Sequence, residues 1–259
     1  MSSAQILAQM ATAIAEGSIR VVDLTQELSE DTPLLVLPEP FGQTAAFSRE
    51  EISRYDDRGV AWHWHNFTVG EHTGTHFDAP VHWVSGKDLP DNTVDKVPAD
   101  KLVAPAVVID CSAECAGNPD YLLTADRIRQ WESEHGTIPA GTWVLFRTDW
   151  SKLDTDAYTN RREDGAHTPG PDASAVELII ERGAIGLGVE TIGTDAGQAH
   201  LLEPAYPAHT LLHGAGRYGL QCLENLDQLP ATGAVVVCPP LKIRDGSGSP
   251  LRVLALVGA

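Results

Sequence analysis

The sequence predicts a mixed α/β fold, of the α/β or α+β type, formed by a single domain. Apolar segments of strand length alternate with helical segments between residues 102 and 147 and again between residues 172 and 189. Strands outnumber helices, and the 259 residues show no internal repeat, no low-complexity segment and no clear domain boundary. A chain of this length buries a substantial core. We therefore expect one domain over residues 1–259.

The individual elements follow from local patterns. Ile6, Met10 and Ile14 recur at helical spacing, which predicts an amphipathic helix that packs on its own domain or on a partner subunit. Thr124 is a good N-cap and Gly136 a good stop for a second helix. A third helix is expected over residues 172–182, and strands over residues 19–24, 64–69, 102–111, 142–147, 184–189, 234–238 and 252–257. Residues 152–171 are polar and punctuated by Gly and Pro, which indicates a surface excursion.

Composition excludes several classes of partner. The net charge of −18 argues against binding to nucleic acid or to an anionic membrane. No apolar run approaches the length of a membrane span, and the N-terminus lacks the pattern of a secretory signal. The four cysteines contain no C-x-x-C pair, so we expect reduced thiols and a cytoplasmic location.

A dense group of metal-ligand residues lies between residues 71 and 83. It contains His72, His76, Asp78 and His82 within eleven positions. Neutral imidazoles and a carboxylate are the ligands of a divalent transition metal such as Zn²⁺ or Mn²⁺. A lone histidine is usually a packing or surface residue, but four ligand-type residues this close together predict a metal site.

The backbone between these residues is expected to be a strand and loop. Thr73, Gly74, Thr75 and Pro80 are poor helix residues, so a helical pair of histidines is rejected. The preceding alternation over residues 64–69 predicts a strand that enters a tight turn at residues 70–71. Strand parity puts the side chains of residues 76 and 78 on one side, and a bend at Gly74 brings that of residue 72 beside them.

The motif His72-x-Gly74-Thr75-His76-x-Asp78-x-Pro80-x-His82 resembles the signature of the metal-dependent cyclase-like hydrolases. That family includes kynurenine formamidase and isatin hydrolase. Further segments resemble the isatin hydrolase branch in particular, among them residues 147–150, 192–198 and 207–209. The resemblance implies a β-barrel-like core with flanking helices, the swivelling β/β/α arrangement, and a homodimer whose sites lie near the subunit contact.

One ion held by His72, His76 and Asp78 leaves coordination positions for water and substrate. The ion would activate the water and polarise a substrate carbonyl, and a nearby group must then carry protons. His82 is the first candidate, with a role as a fourth ligand left open. The resemblance adds His209 as the family's later active-site histidine, while His213 is expected to pack in a helix or loop.

The number of ions is open at this point. In the two-metal branch of the family, the residues that match His82 and His209, together with a later glutamate, hold a second ion. Glu224 is in the right region, after a longer spacer than that branch shows. Members of the isatin hydrolase branch tend to use a single Mn²⁺. We therefore expect one Mn²⁺ per chain, with Zn²⁺ as the alternative, and keep His82, His209 and Glu224 as a possible second set.

The substrate pocket is expected to be aromatic. Trp64 and Trp83 flank the motif and suit a flat ring. Core packing is at least as good an interpretation for Trp64, whereas Trp83 directly follows the last histidine of the motif and has the better claim on the site. Phe41 lies in a proline-rich loop that, by resemblance, covers the site. Gln198 can present an amide to a substrate carbonyl or to water, although glutamines are usually solvated.

The ligand residues predict a metal-dependent hydrolase, and the resemblance implies an enzyme that hydrolyses the amide C–N bond of a small aromatic cyclic amide, with isatin to isatinate as the best single reaction. The alternatives are an arylformamidase acting on N-formylkynurenine and a cyclase or lactone hydrolase on the same scaffold. An alternative from another class is a metal-dependent small-molecule binding module without catalysis.

Overall fold

The computed structural model describes residues 1–259. The α-helices are α1 (Ser3–Ala15), α2 (Ser112–Gly117), α3 (Ala125–His135), α4 (Thr155–Thr159) and α5 (Ala173–Glu181), and a π-helix spans Ala208–His213. The strands are β1 (Ile19–Asp23), β2 (Ser48–Asp56), β3 (Gly59–Thr68), β4 (His76–Asp78), β5 (Val103–Asp110), β6 (Leu122–Leu123), β7 (Trp143–Arg147), β8 (Arg161–Arg162), β9 (Gly165–Ala166), β10 (Gly170–Pro171), β11 (Gly186–Val189), β12 (Tyr218–Gln221), β13 (Ala234–Val237), β14 (Gly248–Pro250) and β15 (Leu254–Gly258). None of the helices combines the length and the apolar composition that a membrane span requires.

Nine strands form one mixed sheet in the order β1-β15-β13-β5-β7-β11-β12-β4-β14. The central strands β5, β7, β11 and β12 are parallel, and the flanking strands pair antiparallel. The first strand of the chain pairs with the last, with Ile19 opposite Gly258. Both ends of the chain therefore belong to the same sheet.

The core lies on both faces of this sheet. Because side chains alternate along a strand, Val107 and Ile109 of β5 face a cluster of 20 buried residues that includes the inner faces of α3 and α5. Val108 faces a second cluster of 22 buried residues. That second cluster contains both Val22 of β1 and Phe77 of β4, which come from opposite ends of the sheet. The sheet therefore curls into a half-barrel, with helices on its outer face.

Capping fixes the two helices that cover the outer face. The Thr124 side chain accepts a hydrogen bond from the Arg127 backbone N–H, and Asp172 caps α5 in the same way. Trp131 of α3 is buried, and its indole N–H donates to the Val108 carbonyl at 2.9 Å. This bond ties the helix to the central strand β5.

Most predicted elements are confirmed to within two residues at each end. The N-terminal helix is present, but none of its residues is buried, so it does not pack into the protomer's own core. Sequence patterns missed β2, which forms an antiparallel hairpin with β3 outside the main sheet. The excursion over residues 152–171 carries α4 and short strands, and residues 167–171 are buried, with the Thr168 carbonyl accepting from the Gly197 N–H at 2.9 Å.

Candidate metal centre

The motif lies on β4, a three-residue strand between β12 and β14. His76 is opposite Gln221 on one side and Pro250 on the other, and both pairings are antiparallel. Gly248 leaves room for the site, because a Cβ atom there would lie 2.5 Å from the His72 ring. Strands on both sides therefore fix the backbone of His76 and Asp78, and both side chains are buried.

His72 is bent back towards this strand, as Gly74 has a positive φ of 62°. The Ser247 hydroxyl donates to the Glu71 carboxylate at 2.5 Å, so it accepts from the Nε2–H of His72 at 2.8 Å. The Nδ1 atom of His72 lies on the opposite side of the ring, 2.7 Å from Oδ1 of Asp78.

His76 repeats this arrangement. Its Nδ1–H donates to the Gly74 carbonyl at 2.7 Å, which leaves an unprotonated Nε2 at 3.5 Å from the same Oδ1 of Asp78. A ring nitrogen of each histidine therefore lies close to the same carboxylate oxygen of Asp78. Such a set is stable around a cation, and its N and O donors suit Mn²⁺ or Zn²⁺. His72, His76 and Asp78 therefore fit the divalent ion that the motif predicts.

A second group of side chains surrounds the other carboxylate oxygen of Asp78. The Nε2 atoms of His209 and His213 each lie 3.9 Å from Oδ2. Gln221, on β12, donates from its amide nitrogen to the same oxygen. Asp195 accepts from the Nδ1–H of His209 at 2.6 Å and thereby orients that ring.

His82 lies between the two groups. It ends a short 3₁₀ turn (Pro80–His82), and its ring stacks on that of His72 with the centroids 3.8 Å apart. The His209 ring is 5.6 Å away, and the Trp83 ring is 4.7 Å from that of His209. The His82 side chain makes no hydrogen bond within the chain. Its ring nitrogens are thus available to an ion, a water or a substrate.

Burial and neighbouring charges favour an ionised aspartate and neutral imidazoles. Burial raises the pKa of Asp78, but His82 and His72 outweigh this effect and hold the pKa well below its usual value. Burial lowers the pKa of His76, and it lowers that of His82 to about 3. Metal binding requires these deprotonated forms.

The two later histidines differ in their electrostatic surroundings. Burial lowers the pKa of His213 to about 4. It also lowers that of His209, but the hydrogen bond and the charge of Asp195 outweigh burial, so the net shift is upward. Of the two rings, His209 is therefore the one that more readily holds a proton.

The structure brings five of the predicted site residues together with Trp83: His72, His76, Asp78, His82 and His209. It does not bring Glu224 to them. Glu224 accepts from the Asn225 amide at 3.2 Å and belongs to none of the ligand groups, and Gln221 occupies the position beside Asp78 instead. The structure therefore does not place Glu224 with His82 and His209, the other residues of the possible second set.

The remaining predicted substrate residues lie outside the group. The Gln198 amide donates to the Ala166 carbonyl at 2.9 Å, which makes it a support for a neighbouring loop. Phe41 is 62% exposed on its loop, and Trp64 is 53% exposed on the β2–β3 hairpin. Within one protomer, neither packs against the histidine cluster.

Sequence reasoning missed the roles of Asp195, His213 and Gln221. Each carries a weak local signal. Asp195 is an acidic residue in the loop after the buried strand β11, and Gln221 is a polar residue at the end of the apolar strand β12. His213 follows His209 by four positions in one helix, a spacing that places two rings on one face.

Fold and site together define a mixed α/β protein with a candidate centre for a divalent ion. The model of the Cyclase family matches residues 22–196. The isatin hydrolase of Roseibium aggregatum is 48% identical over 260 residues, which cover 99% of each chain. Isatin hydrolase A from Ralstonia solanacearum is 61% identical, and its structure superposes with a TM-score of 0.95 over 97% of each chain. An isatin hydrolase bound to the product analogue thioisatinate is 47% identical, with a TM-score of 0.98 over 100% of each chain.

The chain therefore belongs to the Cyclase family, which confirms the resemblance seen in the motif. The curled sheet with flanking helices agrees with the fold which that resemblance implied.

Proposed function

We propose that the protein is a metal-dependent hydrolase that opens the lactam C–N bond of isatin to give isatinate. The observation that carries this proposal is the convergence of His72, His76 and Asp78, in which Nδ1 of His72 lies 2.7 Å and Nε2 of His76 lies 3.5 Å from Oδ1 of the buried aspartate. The similarity to isatin hydrolases, one of them with a product analogue bound, supports the choice of a small aromatic cyclic amide.

His72, His76 and Asp78 would hold the ion, which when bound activates water and polarises the substrate carbonyl. We assign proton transfer to His82 and His209. The His82 ring nitrogens have no partner within the chain, so they are free to accept a proton from water. His209 is held by Asp195 through Nδ1 at 2.6 Å, so its Nε2 is the atom that can deliver a proton to the leaving nitrogen.

Trp83 is the substrate-binding residue that the protomer itself supports best. Its half-buried ring packs against His209, and its centroid lies 5.6 Å from that of the Tyr206 ring. Trp83 and Tyr206 together form an aromatic wall beside the proton carriers. A flat bicyclic amide offers a complementary face to such a wall.

We further propose a homodimer. The β2–β3 hairpin stands apart from the main sheet and exposes five large apolar side chains, namely Tyr55, Val60, Trp62, Trp64 and Phe67. An isolated two-stranded hairpin is marginally stable, and a patch of this kind marks a contact surface. A second copy packed on the hairpin would bury these residues and allow Trp64 to contact substrate in the neighbouring site. Sedimentation of the wild type and of Trp62→Lys tests the dimer: the wild type should sediment as a dimer, and the charged side chain in the variant should weaken the association. A monomeric wild type would contradict the proposal.

For the metal we propose Mn²⁺ in preference to Zn²⁺, with a cytoplasmic site of action. The four cysteines are buried free thiols, in keeping with a reducing compartment. Reconstitution of the metal-free protein with each ion identifies the active metal, and cell fractionation locates the protein.

Steady-state hydrolysis of isatin and of N-formylkynurenine tests the reaction. Activity on isatin should require Mn²⁺, disappear in His76→Ala and persist in His135→Ala, whose surface histidine lies at the end of α3. A preference for N-formylkynurenine would make the protein an arylformamidase. If a chelator leaves isatin binding unchanged and the loaded protein turns over neither substrate, the protein is a binding module.

A further inference from the structure

His167 lies between two carboxylates, in the segment that connects β9 and β10. Its side chain is 10% exposed, and its Nδ1 lies 2.9 and 2.8 Å from the two carboxylate oxygens of Asp120. Its Nε2 lies 3.0 Å from Oδ1 of Asp164. The Gln198 amide nitrogen is 3.4 Å from the same Nε2 and donates to the Ala166 carbonyl at 2.9 Å. A neutral imidazole can donate to only one of two carboxylates, whereas an imidazolium donates to both. Asp120, His167 and Asp164 therefore form a charged clamp around a protonated ring.

The clamp joins two separate parts of the chain. Asp164 is in the turn of the β8–β9 hairpin, and Asp120 lies just before β6. The backbone of His167 is held as well, since its N–H donates to the Asn160 carbonyl at 3.1 Å and its carbonyl accepts from the Asn160 amide at 2.6 Å. The hydrogen bonds to Asp120 and Asp164 raise the pKa of His167, and they outweigh burial and the charge of Arg162, which lower it. The ring therefore keeps its proton, and the clamp stays closed, at a higher pH than an exposed histidine would allow.

The residues that follow His167 pack directly on the loop of residues 192–198, which carries Asp195. The Thr168 carbonyl accepts from the Gly197 N–H at 2.9 Å. The two backbones are also in close contact, because a Cβ on Gly197 would lie 2.8 Å from the Thr168 nitrogen and one on Gly170 would lie 2.7 Å from the Asp195 carbonyl carbon. Close-packed segments transmit a displacement to one another. A movement of residues 166–170 would therefore move the Asp195 loop.

We propose that protonated His167 is a positioning residue, which holds residues 166–170 against the Asp195 loop and thereby fixes the ring of His209. This inference rests on the proposed function, because it concerns the proton that His209 delivers to the leaving nitrogen. Asp195 links the two histidines, since its carboxylate accepts from the backbone N–H of His209 at 3.1 Å and from its Nδ1–H at 2.6 Å. When the clamp opens, the loop shifts and the His209 ring turns away from the leaving nitrogen. Proton transfer then slows, while the binding of substrate at Trp83 is unaffected.

Hydrogen–deuterium exchange tests the clamp without any reference to turnover. Asp164→Asn removes one carboxylate, so the pKa of His167 should fall towards its ordinary value of about 6.5 and the clamp should open between pH 6 and pH 8. We expect the peptide of residues 192–198 to exchange faster than in the wild type at pH 8, because the Gly197 N–H is released from Thr168, with a smaller difference at pH 6.

Glu163→Gln is the matched control, because it removes the same charge from the exposed residue next to Asp164, which is not a hydrogen-bond partner of His167. Its exchange should equal that of the wild type at both pH values. Equal exchange in Asp164→Asn and the wild type at pH 8, or equally fast exchange in both variants, would overturn the proposal.

The pH dependence of isatin hydrolysis separates positioning from a purely structural role. Relative to the wild type, kcat of Asp164→Asn should fall about three- to tenfold at pH 8 and less at pH 6, while KM changes by less than about twofold. His167→Gln lacks the charge at every pH, so its loss of kcat should be largest at pH 6 and should shrink as the wild-type ring loses its proton. A pH-independent loss in both variants, or a rise in KM alone, would overturn the proposal. If exchange follows the proposal while isatin is not hydrolysed, only the proposed function fails.

Discussion

Replacing Asp195 should damage the centre in graded steps. Its carboxylate, almost fully buried, accepts three hydrogen bonds, from the Ala208 N–H at 2.7 Å, the His209 N–H at 3.1 Å and the Nδ1–H of His209 at 2.6 Å. An asparagine can keep one oxygen on His209, so it loses the bond to Ala208 and the charge. An alanine loses all three bonds and leaves buried N–H groups unpaired, each at a cost of about 1–3 kcal/mol.

The carboxylate partner of an active-site histidine is typically worth about 10- to 100-fold in metal affinity or activity. We therefore expect kcat/KM for isatin to fall about tenfold in Asp195→Asn and about 100-fold in Asp195→Ala, with a loss of unfolding free energy of about 2 kcal/mol or more in the alanine variant. Assays run well below each variant's unfolding midpoint separate catalysis from folding. Asp88→Ala is the control, because its carboxylate is 89% exposed. A kcat/KM of Asp195→Ala within twofold of the wild type would refute the positioning of His209.

Three further predictions concern the metal, the substrate and pH. In His76→Ala, added Mn²⁺ should no longer raise the unfolding midpoint. With an intact site, Mn²⁺ at 100 times its dissociation constant raises the free energy of unfolding by about 2.7 kcal/mol. An unchanged Mn²⁺ response in the variant would place the ion elsewhere. Trp83→Ala should raise KM for isatin about three- to tenfold, because an aromatic contact contributes about 0.5–1.5 kcal/mol, and Trp83→Phe should have a smaller effect. Equal KM values for the wild type and Trp83→Ala would show that Trp83 does not line the pocket. Hydrogen bonds to Asp120 and Asp164 raise the pKa of His167, so its contribution to stability is complete below the unfolded value of about 6.5 and is lost as the pH rises through the folded pKa. Urea unfolding of the wild type and His167→Gln should accordingly differ more at pH 6 than at pH 9, and a pH-independent difference would contradict this assignment.

The first half of the metal centre was predictable because it is local. His72, His76 and Asp78 lie within seven positions, and Gly74 predicts the bend that brings His72 beside the other two. The helix cap Thr124 was equally visible, since it acts on a backbone group three residues away. Interactions between residues that are this close in sequence can be predicted from the local sequence alone.

The second half depends on pairing between distant strands. Gln221 reaches Asp78 only because β12 runs antiparallel to β4 with Gly219 opposite Asp78, a register that no local pattern specifies. Glu224 is three positions further along, past the end of β12, and hydrogen-bonds to Asn225 away from the centre. A shift of three positions thus decides whether a carboxylate or an amide faces the aspartate.

The hairpin was missed for a related reason. β2 is largely exposed on both faces, so it lacks the apolar alternation by which a strand against a core is recognised, and only the aromatic part of β3 was visible. The same exposure explains why Trp64 cannot be assigned to a pocket within one protomer. The Trp64 ring is on β3, which pairs only with β2 and does not pack into the core of its own chain.

The geometry around Asp78 links the stability of this fold to its ion. His72, His76, His209 and His213 direct ring nitrogens at one buried carboxylate, and Gln221 donates a hydrogen bond to it from its amide nitrogen. Buried polar groups crowded in this way are costly in a medium of low dielectric constant unless a cation lies between them. Strands on both sides of β4 nevertheless hold them in place, so the folded chain meets much of the cost of assembling the ligands before the ion arrives. A centre that is preorganised in this way would bind a cation tightly, because the ligands need little rearrangement when the ion arrives.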